Sequence, residues 1–176
     1  MLRAAVSLLC MLNLSAAFDT VDHDILINHL QQSFCVKGLA LSWIKSFLWD
    51  RSQPVSIDGV ESTRSSLTCG VTQGSVLGPV LFLIYHADIT AIARHHGLEM
   101  HSYADDTQLY FHADPTAADN KMHQLVACIE EISQWMCANS LKLNKDKMQF
   151  IWLWFCCQSV TLGGVSIQIS TEAMYL

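Results

Sequence analysis

His101-Ser102-Tyr103-Ala104-Asp105-Asp106-Thr107-Gln108-Leu109-Tyr110 is the stretch that decides the fold. Its aromatic and aliphatic residues favour β-strands and aspartate favours turns, so it predicts a short hairpin with Asp105-Asp106 at the tip. Two carboxylates this close repel each other unless a cation neutralises them, and Mg²⁺ prefers carboxylate oxygens. The pair is therefore a candidate metal site, and a solvated acidic turn is the alternative that the pair alone leaves open.

Composition indicates one globular domain that contacts a partner. A chain of 176 residues can bury a core, and a mean hydropathy of +0.27 is high enough to suggest surface that is normally covered. The net charge of −6 has the wrong sign for general affinity to phosphate backbones. Contact with nucleic acid would therefore need a local basic patch, and the candidate cluster is Lys142, Lys145 and Lys147.

The seven cysteines are odd in number and contain no Cys-x-x-Cys pair, so neither a disulfide framework nor a zinc site is indicated. This pattern predicts an intracellular protein, in the cytoplasm, the nucleus or both. The apolar run Val76–Tyr85 is interrupted by His86 and Asp88 before it reaches transmembrane length. No membrane partner is expected.

Two interpretations are open for residues 1–17. Arg3, the apolar run Ala4–Leu12 and the small residues Ser15-Ala16-Ala17 are typical of a secretory signal peptide. The run Val6–Leu12 also has the length and continuity of a strand in a sheet that is covered on both faces. We prefer the strand, because an odd set of free cysteines suits secretion poorly.

Helices and hairpins alternate along the rest of the chain. Asp22 is predicted to cap a helix that ends at Gly38 and carries Phe34 on its inward stripe. A helix from Leu39 to Trp49 and a hairpin turning at Asp58-Gly59 follow. The glycine-rich loop Gly70–Pro79 then opens a helix that runs through Ile92 and precedes the acidic hairpin. The last elements are a helix from Asp114-Pro115 to Asn139, a strand between Leu141 and Phe155, and a turn at Gly163-Gly164. The order predicts an α+β fold with helices on one face of the sheet and the Asp105-Asp106 tip beside the end of the first strand.

Four collinear stretches resemble the reverse transcriptases of non-LTR (LINE-type) retrotransposons. They are Leu12–His23, similar to the first palm motif of that family; Gly70–Phe82, similar to its glycine-glutamine loop and helix; Tyr103–Asp106, similar to its metal-binding hairpin; and Leu143–Lys147, similar to its lysine motif. Four matches in the right order are far more specific than one tetrapeptide. The resemblance implies a right-hand polymerase palm with a ferredoxin-like antiparallel sheet.

The resemblance also implies RNA-directed DNA polymerase chemistry with two Mg²⁺ ions held by three aspartates. Two metals lower the pKa of the primer 3′-hydroxyl and stabilise charge on the attacking and leaving oxygens. Asp105 and Asp106 match two of the metal carboxylates. Lys147 matches the lysine that is proposed to protonate departing pyrophosphate, and a solvated lysine beside a strand is the alternative.

Nucleotide contacts are implied for three further residues. Phe18 matches the aromatic residue that lies beneath the incoming sugar and excludes a 2′-hydroxyl, and a plain core position is its alternative. Gln73 and Gly74 match the loop that shapes the nucleotide and template pocket. The implied partners are an RNA template, a DNA primer and a dNTP.

Asn13 is the main departure from the family pattern, since it lies five residues before Phe18, where the third metal aspartate is expected. An amide oxygen can contact a metal but carries no charge, and charge count controls affinity for hard ions. Asp19, past the strand end, is an imperfect substitute. Thr72 replaces a usual proline, and Met148-Gln149 replaces a usual Thr-Glu. We expect weak or partial Mg²⁺ occupancy and an impaired or inactive enzyme.

Residues 1–155 are expected to form the palm and residues 156–176 a hairpin leading toward a thumb, with fingers and thumb largely missing. The alternative function is a non-catalytic module derived from a retroelement, which binds nucleic acid or another retroelement protein. The acidic net charge weighs against nucleic acid in that case. A minor alternative is a secreted protein from which residues 1–17 are removed.

Overall fold

A computed structural model describes residues 6–152, 159–162 and 165–170, with side chains described as far as Trp152. The described elements, in chain order, are β1 (Val6–Leu12), α1 (His23–Gln32), α2 (Gly38–Leu48), β2 (Arg51–Gln53), β3 (Ser56–Ile57), β4 (Val60–Glu61), β5 (Ser65–Leu67), α3 (Leu77–Tyr85), α4 (Ile89–His95), β6 (Glu99–Tyr103), β7 (Asp106–Ala113), α5 (Ala118–Ala138), β8 (Gln149–Trp152), β9 (Ser159–Leu162) and β10 (Val165–Ser170). Two compact units are present: residues 1–15 with 86–176, and residues 16–85. The division at residue 155 stays a prediction.

A six-stranded sheet with the order β6-β7-β1-β8-β10-β9 forms the first unit. Neighbouring strands pair antiparallel except β8 and β10, which are parallel. The strand β1 therefore lies inside the sheet, hydrogen-bonded to β7 on one side and β8 on the other. This position confirms the strand that was predicted there, whereas the coverage on both faces suggested by its continuous apolar sequence is wrong, because every second side chain is only half-buried.

Helices cover one face of this sheet. Side chains of β1 alternate between buried and half-buried, so one face is dry and the other is open. The helix α5 packs on β7, and α4 packs on both β6 and α5. The inward residues of α5 are Leu125, Cys128, Ile129, Ile132 and Met136. Each fully buried aliphatic side chain contributes about 1.5–3 kcal/mol to stability relative to an exposed one, so this helix layer stabilises the sheet. The arrangement of helices on a sheet confirms the predicted α+β class.

The second unit contains three helices and two short hairpin ladders. The helix α1 packs against α2 and α3. Asp22 caps α1, as predicted, because its carboxylate accepts hydrogen bonds of 2.9 and 3.0 Å from the backbone N–H groups of Asp24 and Ile25. The predicted Asp-Gly turn is also present, with positive φ angles of 50° at Asp58 and 81° at Gly59 between β3 and β4.

Two details of the helix predictions were wrong. Gly38 does not end α1 but begins α2; α1 ends at Gln32, and Cys35 takes the left-handed φ of 54° that glycine usually supplies after a helix. Phe34 therefore lies beyond the helix and is 45% exposed instead of inward. The helix expected to run through Ile92 is interrupted between α3 and α4.

The strand predicted between Leu141 and Phe155 is present in part, as β8. Its residues Ile151 and Trp152 are buried. The remaining apolar residues 153–155 and the predicted turn at Gly163-Gly164 lie outside the described residues, although β9 and β10 pair antiparallel on either side of that turn.

Within the described ranges, no single helix is long and apolar enough to cross a membrane, and α3 and α4 meet that criterion only when taken together.

Candidate metal and nucleotide site

The end of β1 and the start of β7 meet at one end of the sheet. The last regular pair between them is Leu12 with Thr107; Asn13 is the residue after this pair on one strand, and Asp106 is the residue before it on the other. Because side chains alternate between the two faces of a sheet, we expect both to lie on the face opposite to Leu12 and Thr107. Leu12 and Thr107 are buried, whereas Asn13 is half-buried and Asp106 exposed. The amide and the carboxylate therefore share the open face of the sheet.

A two-residue turn, Ala104-Asp105, connects β6 to β7 and follows the closing pair of Tyr103 with Asp106. This confirms the hairpin that was predicted from the sequence, but its tip lies one residue earlier than predicted, because Asp106 pairs with Tyr103 and is already the first residue of the returning strand. Ala104 has a φ of 52°, a conformation that side chains with a Cβ rarely adopt. The turn that presents both carboxylates is therefore strained.

The lysine-rich segment runs beside the same end of β1. The backbone N–H of Asn144 donates to the carbonyl oxygen of Asn13 at 2.8 Å, and Ser15 N–H donates to the Lys142 carbonyl at 2.9 Å. Lys147 lies in a 3₁₀ turn two residues before β8, the other neighbour of β1. The side chains of Lys142 and Lys147 are exposed. Basic and acidic groups therefore lie at one end of the sheet.

The structure thus brings Asn13, Asp105, Asp106 and Lys147 to the same end of the first unit, and the predicted position of the acidic tip beside the first strand is confirmed. Within the part of the chain that the structure describes, no three His, Cys, Asp or Glu side chains come together as metal ligands. Among the predicted metal-site residues, the charged donors are the two adjacent carboxylates of Asp105 and Asp106, beside the neutral amide of Asn13. The metal and proton-transfer roles of these residues stay predictions.

Phe18 lies in the second unit, where its ring packs on Phe82 with centroids 5.2 Å apart. It is half-buried. Gly78 lies directly beneath: a Cβ there would be 3.8 Å from the Phe18 ring and 2.9 Å from the Thr72 carbonyl oxygen. The open side of Phe18 is compatible with ligand contact, while the contact with Phe82 agrees with its alternative as a core residue.

The glycine-rich loop places Gln73 and Gly74 in a tight turn before α3. Gly74 has a φ of 80°, and both residues are exposed. The turn is closed by Ser75, whose N–H and hydroxyl both donate to the Thr72 carbonyl, at 3.2 and 2.7 Å. The acceptor is a backbone carbonyl, which any residue at position 72 supplies, so the turn forms with threonine in the place of the usual proline.

His23 is the residue of this unit that the sequence analysis did not single out. It is 3% exposed, and its Nε2 lies 2.8 Å from the Gly70 carbonyl oxygen. A signal was present, because His23 shares the inward stripe of α1 with Ile27 and Leu30 at helical spacing. A polar residue on such a stripe indicates a buried hydrogen bond.

Two thiols lie buried between the sheet and α5. Burial raises the pKa of Cys10 far above its usual range, with a smaller contribution from Cys128 nearby. Burial also raises the pKa of Cys128 to about 12, and the charge of Glu131 adds to this. Both thiols therefore stay protonated and are poor metal ligands.

A largely antiparallel sheet, covered by helices on one face and carrying an acidic hairpin beside an interior strand, defines the palm of a right-hand polymerase. Residues 3–174 match the family described as reverse transcriptase (RNA-dependent DNA polymerase). The chain belongs to this family, whose members generally use divalent metal ions.

The curated relatives come from LINE-type elements. The chain is 28% identical over 175 residues to the RNA-directed DNA polymerase from mobile element jockey of Drosophila melanogaster, a match that covers 94% of this chain and 18% of the relative. It is also 28% identical over 170 residues to the probable RNA-directed DNA polymerase from transposon BS of the same species, with coverage of 94% and 18%. The chain therefore spans about a fifth of the length of these relatives, and it is a reverse-transcriptase domain of the LINE type.

Solved telomerase structures share the fold. Apo telomerase from Candida tropicalis, truncated from its C-terminal domain, has a TM-score of 0.65 at 13% identity, covering 93% of this chain and 34% of that one. Telomerase from Candida albicans, in complex with a fragment of telomeric RNA, has a TM-score of 0.61 at 13% identity, with coverage of 93% and 29%. At this identity the likeness concerns the fold, and it confirms the predicted palm.

We expect Ala104→Gly to stabilise the chain by about 1 kcal/mol. Glycine adopts a φ of 52° without the Cβ clash, and this gain exceeds its larger loss of backbone entropy on folding. Urea denaturation measures the change. Ala104→Val is the matched control and should destabilise, since a branched side chain tolerates this conformation least. Equal stability of all three proteins would show that the turn stores no strain.

Proposed function

We propose that this chain is the palm part of an RNA-directed DNA polymerase whose nucleotidyl transfer is impaired at the metal site. The observation that supports this proposal is the register of β1 and β7, whose last pair, Leu12 with Thr107, is followed by Asn13 on one strand and preceded by Asp106 on the other. A neutral amide thus occupies the place where the resemblance calls for the third carboxylate. The proposed partners of the whole polymerase are an RNA template, a DNA primer and a dNTP.

The donors at this site suit one hard divalent cation better than two. Asp105 and Asp106 bring two negative charges and Asn13 brings an uncharged oxygen, whereas two Mg²⁺ ions bring four positive charges. When bound, divalent cations supply charge stabilisation for the attacking and leaving oxygens of phosphoryl transfer. We propose that these three residues hold a single Mg²⁺ weakly.

The other roles belong to side chains of this chain itself. Lys147, exposed beside the acidic end of the sheet, is proposed to donate a proton to departing pyrophosphate. Phe18, Gln73 and Gly74 are proposed to contact the sugar and base of the dNTP. An intracellular location, in the cytoplasm or nucleus, belongs to the same proposal, supported by the five free cysteines among the described residues.

Terbium binding tests the metal site without relying on catalysis. Tyr103 is 77% exposed and pairs with Asp106, so it can sensitise luminescence from Tb³⁺ bound at the acidic tip. We expect the unmodified chain to bind Tb³⁺ weakly and to release it to Mn²⁺. Asn13→Asp should tighten Tb³⁺ binding about tenfold or more, because it adds a third negative charge to the side chains that hold the same ion.

Asn120→Asp is the matched control, since it makes the same change of charge on an exposed position of α5. It should leave Tb³⁺ affinity unchanged, and Asp106→Asn should weaken it. If Asn13→Asp and Asn120→Asp change Tb³⁺ affinity by the same factor, Asn13 does not share an ion with the two carboxylates, and the proposed site is wrong.

Primer extension tests the proposed impairment. With an RNA template, a DNA primer, dNTPs and either Mg²⁺ or Mn²⁺, the unmodified chain should add no nucleotide to the primer. One weakly held ion cannot stabilise the charge on both the attacking and the leaving oxygen. Gel analysis at single-nucleotide resolution measures the outcome. Extension that disappears in Asp106→Asn would establish this chain as an active polymerase. Extension that persists in Asp106→Asn would identify a contaminating enzyme.

The second candidate function is a non-catalytic module that binds RNA, and the lysine segment beside β1 is the observation that favours it. Filter binding to single-stranded RNA at two salt concentrations measures it. If the unmodified chain binds RNA, Lys142→Ala should lower the slope of log affinity against log salt concentration by about 0.7, the value for one phosphate contact with single-stranded RNA. Lys37→Ala, an exposed lysine of the second unit, is the control and should leave the slope unchanged. Absence of salt-sensitive binding would exclude this candidate.

A further inference from the structure

A hydrogen bond from His23 holds the start of the glycine-rich loop. The Nε2 of this buried ring lies 2.8 Å from the carbonyl oxygen of Gly70. A carbonyl oxygen can only accept, so Nε2 is the donor of this bond. Arg51 Nη1 approaches the same oxygen at 3.4 Å, near the limit of a hydrogen bond, so His23 is the principal donor.

Gly70 connects this bond to the segment that carries Phe18. Its N–H donates to the Val21 carbonyl at 2.8 Å, and the N–H of Val71 donates to the Phe18 carbonyl at 2.8 Å. Gly70 has a φ of +87°, and a Cβ at this position would lie 3.0 Å from the backbone oxygen of Asp19. The two backbone segments are therefore packed too closely for any residue but glycine.

The other ring nitrogen of His23 indicates that this residue positions the loop and is not the most stabilising choice for the core. Nδ1 is buried and has no hydrogen-bond partner among the described residues. A buried polar atom without a hydrogen-bond partner is unfavourable, and leucine on the same inward stripe would avoid it. The ring also meets Trp49 edge to face at 6.2 Å, which fixes its orientation toward Gly70.

We propose that His23 is a positioning residue that sets the glycine-rich loop against the Phe18 segment, and thereby controls nucleotide binding by Phe18, Gln73 and Gly74. The nucleotide part of this inference rests on the proposed function. The backbone part does not, because all of the bonds that carry it lie inside the second unit.

The test compares four proteins: the unmodified chain, His23→Leu, His23→Gln and His23→Asn. A glutamine amide nitrogen can reach the place of Nε2, whereas the shorter asparagine amide reaches only the place of Nδ1. Amide hydrogen exchange by NMR measures the loop directly. We expect the amides of Gly70 and Val71 to exchange about tenfold faster in the leucine and asparagine variants, as loss of one hydrogen bond implies. Glutamine should restore the original rates.

Amides of Leu26 and Leu30, deep in α1, should change far less in every variant. A uniform increase in exchange rate across α1 and the loop would show that His23 acts only as an ordinary core residue, and it would overturn the proposal. Failure of glutamine to restore the rates would overturn it as well. Arg51→Leu is the matched control for the longer contact, and a change as large as that of His23→Leu would transfer the role to Arg51.

Saturation-transfer NMR with dATP and Mn²⁺-free buffer measures the nucleotide part on the same four proteins. We expect about tenfold weaker dATP binding in the leucine and asparagine variants and recovery in the glutamine variant. If the unmodified chain does not bind dATP, the nucleotide role and the proposed dNTP contacts fail together, while hydrogen exchange still decides the backbone role. If dATP binds equally to all four proteins, the nucleotide role of His23 is wrong and the dNTP contacts stand.

Discussion

The pairing of β1 with β7 and β8 is the constraint on which the first unit depends. A single seven-residue strand bonds to both neighbours, so its register fixes which residues of three distant segments lie together. That register sets Asn13 against the acidic hairpin and brings the lysine segment alongside. A slip of one residue would turn every side chain of β1 to the opposite face, exposing the core and burying Asn13. Fold and site are therefore specified by the same set of hydrogen bonds.

Much of this arrangement was predictable because it is encoded locally. The apolar run Val6–Leu12, the Asp22 cap and the acidic turn each follow from residue types that favour one conformation. The family resemblance then added long-range order, since collinear motifs imply which segments meet. The position of the acidic tip beside β1 followed from the order of the elements, and the family resemblance agrees with it.

The remaining features depend on tertiary contacts that no local pattern contains. Gly38 reads as a helix end, but Cys35 adopts the left-handed conformation first, because the N–H of Val36 can then bond back to Leu30 at 2.8 Å. The parallel pairing of β10 with β8 is set by the path of the chain and not by composition. The helical spacing of His23 indicates burial, but its partner, the Gly70 carbonyl 47 residues away, is defined by the tertiary fold.

Separation of the two faces of the sheet explains how Asn13 is compatible with an intact palm. Leu12 and Thr107 point into the core, and Asn13 and Asp106 point the other way, so an amide in place of a carboxylate removes no buried contact. A third carboxylate beside Asp105 and Asp106 would add like-charge repulsion whenever no cation is bound. The neutral amide relieves that repulsion and at the same time lowers the affinity for cations. The stability of the metal-free fold and the capacity to hold two metal ions therefore place opposite demands on this position, and asparagine satisfies only the first.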